Sequence, residues 1–259
     1  MDNLFSLKGR TALITGGSRG IGEMIAEGFL KAGAKVYISA RKVAQCEDTA
    51  VRLSEFGTCI PLPADASGAA GARQLAEQYL AHETSLDILV NNAGAAWGAD
   101  FVTFPENGWD KVVDINMKTP FFLTQALHGA LKRAGTPDQP AKVINIVSID
   151  GLSVNMQDTY SYAASKAGLI HLTKRMALGL AKDNIVVSAI APGAFPSDMN
   201  KVARDDAERL SKEIPAGRVG HSTDMAGAAI FLASKAGDYV LGSTIVVDGG
   251  AAYTRQVTG

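Results

Sequence analysis

The chain has 259 residues, of which 47% are hydrophobic and 20% are charged, a composition typical of a globular protein. Its 25 lysines and arginines nearly balance its 26 aspartates and glutamates, and this balance disfavours binding to nucleic acid. No apolar run approaches the length of a membrane span, so no membrane association is expected. Two cysteines, Cys46 and Cys59, do not suggest a disulfide framework and favour a cytoplasmic location. The four histidines are scattered without metal-ligand spacing, so no metal site is expected.

Short runs rich in β-branched residues alternate with longer stretches of helical periodicity. The runs predict seven strands: Arg10–Thr15, Lys35–Ser39, Thr58–Pro63, Leu86–Asn91, Lys142–Ser148, Ile185–Ile190 and Ser243–Asp248. The longer stretches predict helices: Gly22–Lys31, Val43–Glu55, Ala69–His82, Trp109–Lys132, Thr159–Lys182 and Thr223–Leu232. This alternation predicts an α/β fold in which residues 1–259 form a single domain, a doubly wound (Rossmann) seven-stranded parallel sheet with helices on both faces. The irregular segments are Arg133–Ala141 and Pro192–Gly220.

A glycine-rich turn, TGGSRGIG, joins the first strand to the first helix at Thr15–Gly22. Exposed amides at a helix N-terminus attract phosphate, and a side chain at Gly16 or Gly20 would keep a pyrophosphate away from the backbone. Gly22 is expected to let the helix pack closely on the strand. The spacing G-x-x-x-G-x-G differs from the common G-x-G-x-x-G, so a turn without a ligand is the alternative. The location after the first strand favours dinucleotide binding.

The second strand is followed by cations where a fold selective for NAD usually carries a carboxylate. Arg41 and Lys42 occupy this region, and Arg19 lies in the glycine turn. A guanidinium binds a 2′-phosphate through paired, charge-assisted hydrogen bonds. These residues predict NADP(H) rather than NAD(H). The alternative is that Arg41 and Lys42 belong to an ordinary surface loop.

The third and fourth strands also end in residues suited to a cofactor. Asp65 and Ala66 follow the third strand and are expected to border the adenine ring. The segment Asn91–Gly94, with sequence NNAG, follows the fourth, and its small residues let the backbone lie against a ligand. For Asn91 itself we favour a structural role, in which the amide ties neighbouring strands together.

Lys166 stands four positions after Tyr162 in a helical stretch, and this i, i+4 spacing places both on one face of the helix. An ammonium group one turn away is expected to lower the pKa of the phenol, so that the pair can transfer a proton near neutral pH. Tyr160 has no such partner, because Ala164 stands four residues after it. The alternative is a tyrosine–lysine pair on the surface.

Two further polar residues are candidates for the same site. Ser148 ends the fifth predicted strand, where its hydroxyl can hold a substrate oxygen or merely cap a turn. Asn116 falls inside the long helical stretch before that strand, where an amide is mildly unfavourable. We expect it to bond a water or a carbonyl at a local kink, unless it lies on a solvated face.

Taken together, the segments TGGSRGIG, NNAG, YAASK, PGAFPSDM and VVDGG resemble the short-chain dehydrogenase/reductase family over about residues 8–250. Within that family the chain is similar to 3-oxoacyl-(acyl carrier protein) reductases. The resemblance implies an NADP(H)-dependent enzyme that acts on a small ketone or alcohol, without nucleic acid or membrane partners. It also implies a homotetramer built partly from the long helices and the last strand.

The resemblance further implies a role for each member of a catalytic tetrad. Tyr162 would give a proton to the carbonyl oxygen, Lys166 would hold the nicotinamide ribose, and Ser148 would orient the carbonyl. Asn116 would position the water that replenishes the proton. The implied cofactor-binding residues are Gly16, Ser18, Arg19, Gly20, Ile21, Gly22, Arg41, Asp65, Ala66, Asn92, Ala93, Gly94, Tyr162, Lys166, Pro192, Gly193, Phe195 and Ser197. Residues 192–220 would contain a substrate lid, with its mobile part at about Met199 to Gly217.

Three residues depart from the family pattern. Asp150 places a carboxylate near the expected substrate entrance, Phe195 replaces a common isoleucine or valine, and Asp183 weakens docking of an acidic carrier protein. The leading interpretation is an NADPH-dependent reductase of a ketone or 3-oxoacyl group, and these departures leave open a ketone not tethered to a carrier protein. The alternatives are an NADP-dependent dehydrogenase of a sugar, polyol or steroid alcohol, and a catalytically silent protein that senses NADP.

Overall fold

The computed structural model describes residues 4–198 and 200–253. Its centre is a parallel sheet whose strands are β1 (Thr11–Thr15), β2 (Lys35–Ala40), β3 (Cys59–Pro63), β4 (Ile88–Asn91), β5 (Ala141–Ile146), β6 (Ile185–Pro192) and β7 (Thr244–Val247). The strand order is β3-β2-β1-β4-β5-β6-β7. The expected seven-stranded parallel sheet of the Rossmann type is therefore confirmed.

Helices cover both faces of this sheet. They are α1 (Gly20–Lys31), α2 (Val43–Leu53), α3 (Gly68–Leu80), α4 (Glu106–Val113), α5 (Thr119–Ala126), α6 (His128–Ala134), α7 (Tyr160–Leu180), α8 (Lys201–Asp205), α9 (Ala207–Ser211) and α10 (Ser222–Ala233). The strands alternate their side chains between the two helical layers. Ala12 and Ile14 of β1 pack in the layer of α1 and α10, whereas Leu13 packs in the layer of α3, α5 and α7.

The stretch 109–132, expected as one helix, is divided. A π-helical turn, Asp114–Lys118, separates α4 from α5, and Leu127 separates α5 from α6. Pro120 stands in the first turn of α5 and has no N–H to donate to the preceding turn. The hydroxyl of Thr119 instead donates to the carbonyl oxygen of Asp114 at 3.0 Å. This π-helical turn carries Asn116, which is buried.

Several element boundaries also differ from the sequence prediction. Helix α1 begins at Gly20, two residues earlier than expected, and β5 ends at Ile146, so that Ser148 lies beyond the strand. Strand β6 continues to Pro192, and the expected irregular segment after it contains the short helices α8 and α9. Met199, the expected start of the mobile lid, lies outside the described residues.

The order of strands reverses between β1 and β4, and this opens a crevice at their carboxyl ends. The neighbouring strands are tied below it by buried amides. The Nδ2 atom of Asn91 donates to Oδ1 of Asn145 at 2.9 Å, and Nδ2 of Asn145 donates to Oγ1 of Thr173 on α7 at 2.9 Å. Asn91 thus makes the inter-strand contact expected of a structural residue.

Residues 4–198 and 200–253 lack two features that mark other classes of protein. None of the helices there is long and apolar enough to cross a bilayer. No group of three or more histidine, cysteine or acidic side chains there is arranged to hold a metal ion. Cys46 and Cys59 are both buried and free.

Candidate active site

The glycine turn adopts a backbone that other residues rarely accept. Gly16 has φ +64° and Gly20 has φ +55°. A Cβ at Gly16 would lie 3.0 Å from the side-chain amide of Asn92, and a Cβ at Gly20 would lie 3.1 Å from Cβ of Ser197. A Cβ at Gly22 would overlap the carbonyl oxygen of Gly16, so Gly22 allows the helix to approach the turn itself.

Thr15, which the sequence analysis did not select, connects this turn to the NNAG segment. Its Oγ1 accepts hydrogen bonds from the backbone N–H groups of Asn92 at 3.0 Å and Ala93 at 2.9 Å. The Nδ2 atom of Asn92 donates in return to the carbonyl oxygens of Thr15 at 2.8 Å and Gly16 at 3.1 Å. The signal for Thr15 is a hydroxyl residue at the end of a buried strand, immediately before the first glycine.

The two arginines expected to select NADP have different surroundings. Arg41 is exposed after β2 and forms no ion pair with any residue that the structure describes. Arg19 is also half exposed, but its guanidinium pairs with the carboxylate of Asp198. Asp198 also binds Arg204 of α8 at 2.6 Å, so the segment after β6 is joined by charge to the glycine turn. Asp198 was not selected from the sequence.

The other predicted cofactor residues border the same crevice in different ways. Ser18 is buried, and its carbonyl oxygen accepts from Oγ1 of Thr49 at 3.0 Å. Ile21, in the first turn of α1, is partly buried and packs against the core. Asp65 is exposed and accepts from N and Oγ of Ser67 at 3.1 and 2.7 Å, next to the buried Ala66.

The segment after β6 is irregular, with bends at Ala194, Ser197 and Asp198, and it approaches the glycine turn at Ser197. Pro192 ends the strand, and the N–H of Gly193 donates to the carbonyl oxygen of Val247 at 2.9 Å. Oγ of Ser197 accepts from the N–H of Asn200 at 3.0 Å. The side chain of Phe195 is only 2% exposed and packs in the core. Any contact of Phe195 with a cofactor would therefore involve its backbone.

Asn116 lies on the π-helical turn and is 1% exposed. Its Oδ1 accepts from the N–H of Ala95 at 2.9 Å, while Nδ2 donates to the carbonyl oxygen of Ala95 and to Oγ of Ser165, each at 3.0 Å. The amide therefore bonds a carbonyl at a kink, one of the two partners expected. A Cβ at Gly94 would lie 3.1 Å from Oδ1 of Asn116 and 3.7 Å from Nζ of Lys166, so these groups meet around Gly94.

Ser148, Tyr162 and Lys166 converge at the carboxyl end of β5. Ser148 is buried and is hydrogen bonded to the side chain of Tyr162. Nζ of Lys166 lies 5.6 Å from the centre of the Tyr162 ring and donates to the carbonyl oxygen of Ile146 at 2.8 Å. Together with Asn116, the structure therefore brings the four predicted catalytic residues to one edge of the sheet.

The electrostatics of Tyr162 differ from the sequence expectation. Burial raises the pKa of Tyr162 to about 12, the hydrogen bond from Ser148 lowers it, and the nearby charge of Asp150 raises it. Burial also lowers the pKa of Lys166 to about 8. The expected lowering of the phenol pKa by Lys166 is wrong for this structure, because the ammonium is directed at a backbone carbonyl and desolvation dominates.

Comparison with known proteins agrees with this arrangement. A family model described as enoyl-(acyl carrier protein) reductase matches residues 16–252. The chain belongs to the short-chain dehydrogenase/reductase family. It is similar to the rhamnolipids biosynthesis 3-oxoacyl-[acyl-carrier-protein] reductase of Pseudomonas aeruginosa, with 47% identity over 96% of this chain and 99% of that protein. It is also similar to the 2-dehydro-3-deoxy-D-gluconate 5-dehydrogenase of Dickeya dadantii, with 38% identity over 96% and 97% of the two chains.

Solved structures of family members superpose along nearly the whole chain. The Pseudomonas aeruginosa RhlG/NADP active-site complex matches with a TM-score of 0.93 and 47% identity, covering 97% of this chain and 100% of that one. A gluconate 5-dehydrogenase from Burkholderia cenocepacia, in complex with NADP and tartrate, matches with a TM-score of 0.89 and 35% identity, covering 98% and 99%. Membership of this family makes the protein an oxidoreductase.

Proposed function

We propose that the protein is an NADPH-dependent carbonyl reductase, which reduces a ketone or 3-oxoacyl group to a secondary alcohol. The observation that carries this proposal is the convergence of Ser148, Tyr162 and Lys166 beside the crevice that the glycine turn borders. A half-buried phenol that is hydrogen bonded to a hydroxyl is placed to donate a proton. The family relatives that are named for reductase or dehydrogenase activity support the same class of reaction.

The crevice fits a dinucleotide. The positive φ angles of Gly16 and Gly20 keep both positions free of side chains at the N-terminus of α1, where backbone amides favour phosphate. Arg41 forms no ion pair with the residues that the structure describes, and its free guanidinium supports selection of a 2′-phosphate. NADP(H) is therefore the cofactor, held by the predicted set of residues from Gly16 to Ser197. When bound, NADPH supplies a hydride.

The protein's own residues prepare the carbonyl and supply the proton. Ser148 holds the carbonyl oxygen next to the phenol, and Tyr162 donates its proton to that oxygen as negative charge develops there. The raised pKa of Tyr162, about 12, keeps the phenol protonated at neutral pH, as a proton donor requires. The hydrogen bond from Ser148 favours the phenolate that remains, and the ammonium group of Lys166 would hold the nicotinamide ribose.

Asn116 contributes to this site through its contacts. Its amide fixes the backbone of Ala95 and the hydroxyl of Ser165, which in turn donates to the carbonyl oxygen of Tyr162 at 2.8 Å. This network holds the first turn of α7 in place. In the proposed mechanism Asn116 also positions the water through which Tyr162 regains its proton.

A screen of NADPH consumption tests the proposal. Purified protein is mixed with NADPH and, in turn, with 3-oxoacyl thioesters, bulky aryl ketones, keto sugars and keto steroids, and the loss of absorbance of the reduced cofactor is followed. We expect turnover with at least one ketone and formation of the matching secondary alcohol. Tight binding of NADPH without turnover of any ketone would instead support a silent NADP-binding protein.

A second candidate is an NADP-dependent alcohol dehydrogenase that works in the oxidative direction. The relatives of 35 to 38% identity that are named as gluconate dehydrogenases favour it. The two candidates are distinguished by comparing the rate of alcohol oxidation with NADP⁺ against the rate of ketone reduction with NADPH on one substrate pair. A reaction confined to polyol or sugar-acid substrates would favour the second candidate.

The proposal also includes an oligomeric state, a cellular location and a lid over the substrate. A groove of about 440 Å³ lies between α5 and α7, lined largely by Met117, Phe121, Phe122 and Leu172, and it supports a homotetramer formed in part through these helices. The buried free thiols support a cytoplasmic location. Residues 192–220 are the proposed lid over the substrate. Light scattering on a sizing column tests the assembly, and a monomeric mass would contradict it.

A further inference from the structure

The carboxylate of Asp150 lies near Tyr162, the proposed proton donor, and is not paired with another side chain that the structure describes. Its backbone N–H donates to Oγ of Ser148 at 3.1 Å, which places it two residues from the carbonyl-binding hydroxyl. The side chain is half-buried and makes no hydrogen bond or ion pair with the residues that the structure describes. Its charge is close enough to Tyr162 to raise the pKa of that phenol.

The backbone around Asp150 is rigidly held. Asp150 lies on a 3₁₀ turn, Ile149–Gly151, whose first carbonyl oxygen accepts from the N–H groups of Leu152 at 2.9 Å and Ser153 at 2.8 Å. A Cβ at Gly151 would lie 2.8 Å from the backbone of Lys166 and Ala167, so the turn packs directly on α7. Asp150 therefore stays near the catalytic edge.

The carboxylate belongs to a wider acidic entrance. Residues 95–105 and 148–159, here called the entrance loops, contain three carboxylates, Asp100, Asp150 and Asp158, and no lysine or arginine. The loops are joined by a hydrogen bond from the N–H of Ala99 to the carbonyl oxygen of Asp158 at 3.2 Å. The ring of Tyr160, which follows the second loop, packs edge-to-face on Phe101 at 5.6 Å.

The entrance loops also expose several large apolar side chains. Phe101 is 75% exposed, Val102 92%, Val154 99% and Met156 100%. Side chains of this kind in one exposed region are suited to an apolar ligand. Lys166 is buried and bound to a backbone carbonyl, so it does not offset the acidic entrance for an arriving ligand. Nζ of Lys111 lies 5.4 Å from the centre of the Trp97 ring in the entrance loops, and the three carboxylates of these loops outnumber this cation.

We propose that the entrance loops select uncharged or cationic ketones with an apolar body, and that Asp150 is the residue that rejects anionic substrates. A carboxylate or phosphate on the substrate would meet an unpaired like charge at the entrance, which costs binding free energy. The same charge disfavours the acidic surface of a carrier protein. This inference rests on the proposed function and narrows its substrate to free, non-anionic ketones.

A matched pair of ketones tests the inference. Ethyl 3-oxobutanoate and 3-oxobutanoate share the reacting carbonyl and differ in one negative charge, so kcat and KM are measured for both with saturating NADPH. We expect the wild-type enzyme to favour the ester by about tenfold or more in kcat/KM, mainly through KM. Asp150→Asn should reduce this preference to about threefold or less, whereas Asp150→Glu should restore it.

Control variants distinguish failure of the role assigned to Asp150 from failure of the proposed function. Glu77→Gln removes an exposed carboxylate on α3, outside the entrance loops, and should leave the ester-to-acid ratio unchanged. Asp150→Ala replaces the asparagine variant if that variant does not fold. An unchanged ratio in folded Asp150→Asn or Asp150→Ala, with the ester still reduced, would overturn the role of Asp150 alone. Failure of the wild type to reduce any ketone would overturn the proposed function itself.

Discussion

The ammonium group of Lys166 lies 5.6 Å from the centre of the Tyr162 ring, and its hydrogen bond goes to the carbonyl oxygen of Ile146 rather than to the phenol. The two side chains lie on one face of α7, yet the lysine is directed towards the carbonyl oxygen of Ile146. The lysine is therefore not among the groups that shift the pKa of Tyr162, and burial dominates that pKa. This arrangement favours a tyrosine that is protonated before the reaction.

Replacement of Tyr162 tests its role as proton donor. Tyr162→Phe removes the hydroxyl and should lower kcat for ketone reduction by about 10²- to 10⁴-fold, since general acid catalysis is lost. NADPH binding, followed by quenching of protein fluorescence, should be retained. Tyr160→Phe is the matched control, because the Tyr160 hydroxyl donates to Asp158 at 2.8 Å and not to Ser148. Full activity in Tyr162→Phe would refute the assigned role.

Charge reversal at Arg41 tests the choice of cofactor. Arg41→Asp should weaken NADPH binding by repelling the 2′-phosphate, and its carboxylate should accept a hydrogen bond from the ribose of NADH. We expect the ratio of kcat/KM for NADPH to that for NADH to fall by about tenfold or more. Arg73→Asp, at an exposed position of α3, controls for net charge. An unaltered ratio would show that Arg41 does not read the 2′-phosphate.

The ion pair between Arg19 and Asp198 gives a second prediction about the cofactor. Asp198→Asn releases Arg19 for a phosphate group, so the Kd for NADPH should decrease by up to about fivefold, in keeping with an exposed ion pair. The effect should shrink at high salt. Asp206→Asn, which removes the partner of Arg209 within the proposed lid, should leave Kd unchanged. Weaker binding in Asp198→Asn would mean that the pair itself supports the cofactor site.

The pH dependence of alcohol oxidation reports on Asp150 and Tyr162. Oxidation requires the phenolate, so kcat/KM rises as pH approaches the pKa of Tyr162 in the free enzyme. Removing the nearby charge in Asp150→Asn lowers that pKa, and the rising limb of the profile should move to lower pH. Asp158→Asn should not move it, because Asp158 contacts Tyr160 instead. A limb that stays in place in both variants would contradict electrostatic contact between Asp150 and the phenol.

Two glycines within helices give a prediction about stability. A Cβ at Gly22 would overlap the carbonyl oxygen of Gly16, so Gly22→Ala should lower the free energy of unfolding by about 1–3 kcal/mol and weaken NADPH binding. Gly227 on α10 has open space around it, and Gly227→Ala should raise that free energy by about 0.4–1 kcal/mol. Chemical denaturation measures both. Equal effects at the two positions would exclude the close approach of α1 to the turn.

The sequence by itself determined the seven-stranded parallel sheet and its family. Alternating strand and helix patterns leave few right-handed ways to wind such a sheet, and each motif after a strand must then lie at its carboxyl edge. The spacing of Tyr162 and Lys166 likewise follows from helix geometry alone. These conclusions depend on local periodicity, which is visible without coordinates.

Only the tertiary structure decided what surrounds each group. It paired Arg19 with Asp198, which stands 179 positions later in the chain, and it bound the side-chain amide of Asn116 to Ala95 and Ser165. It also reversed the expected shift in the pKa of Tyr162. Hydrogen-bond partners, desolvation and nearby charges come from segments that are distant in sequence, and the sequence pattern does not specify their separation in space.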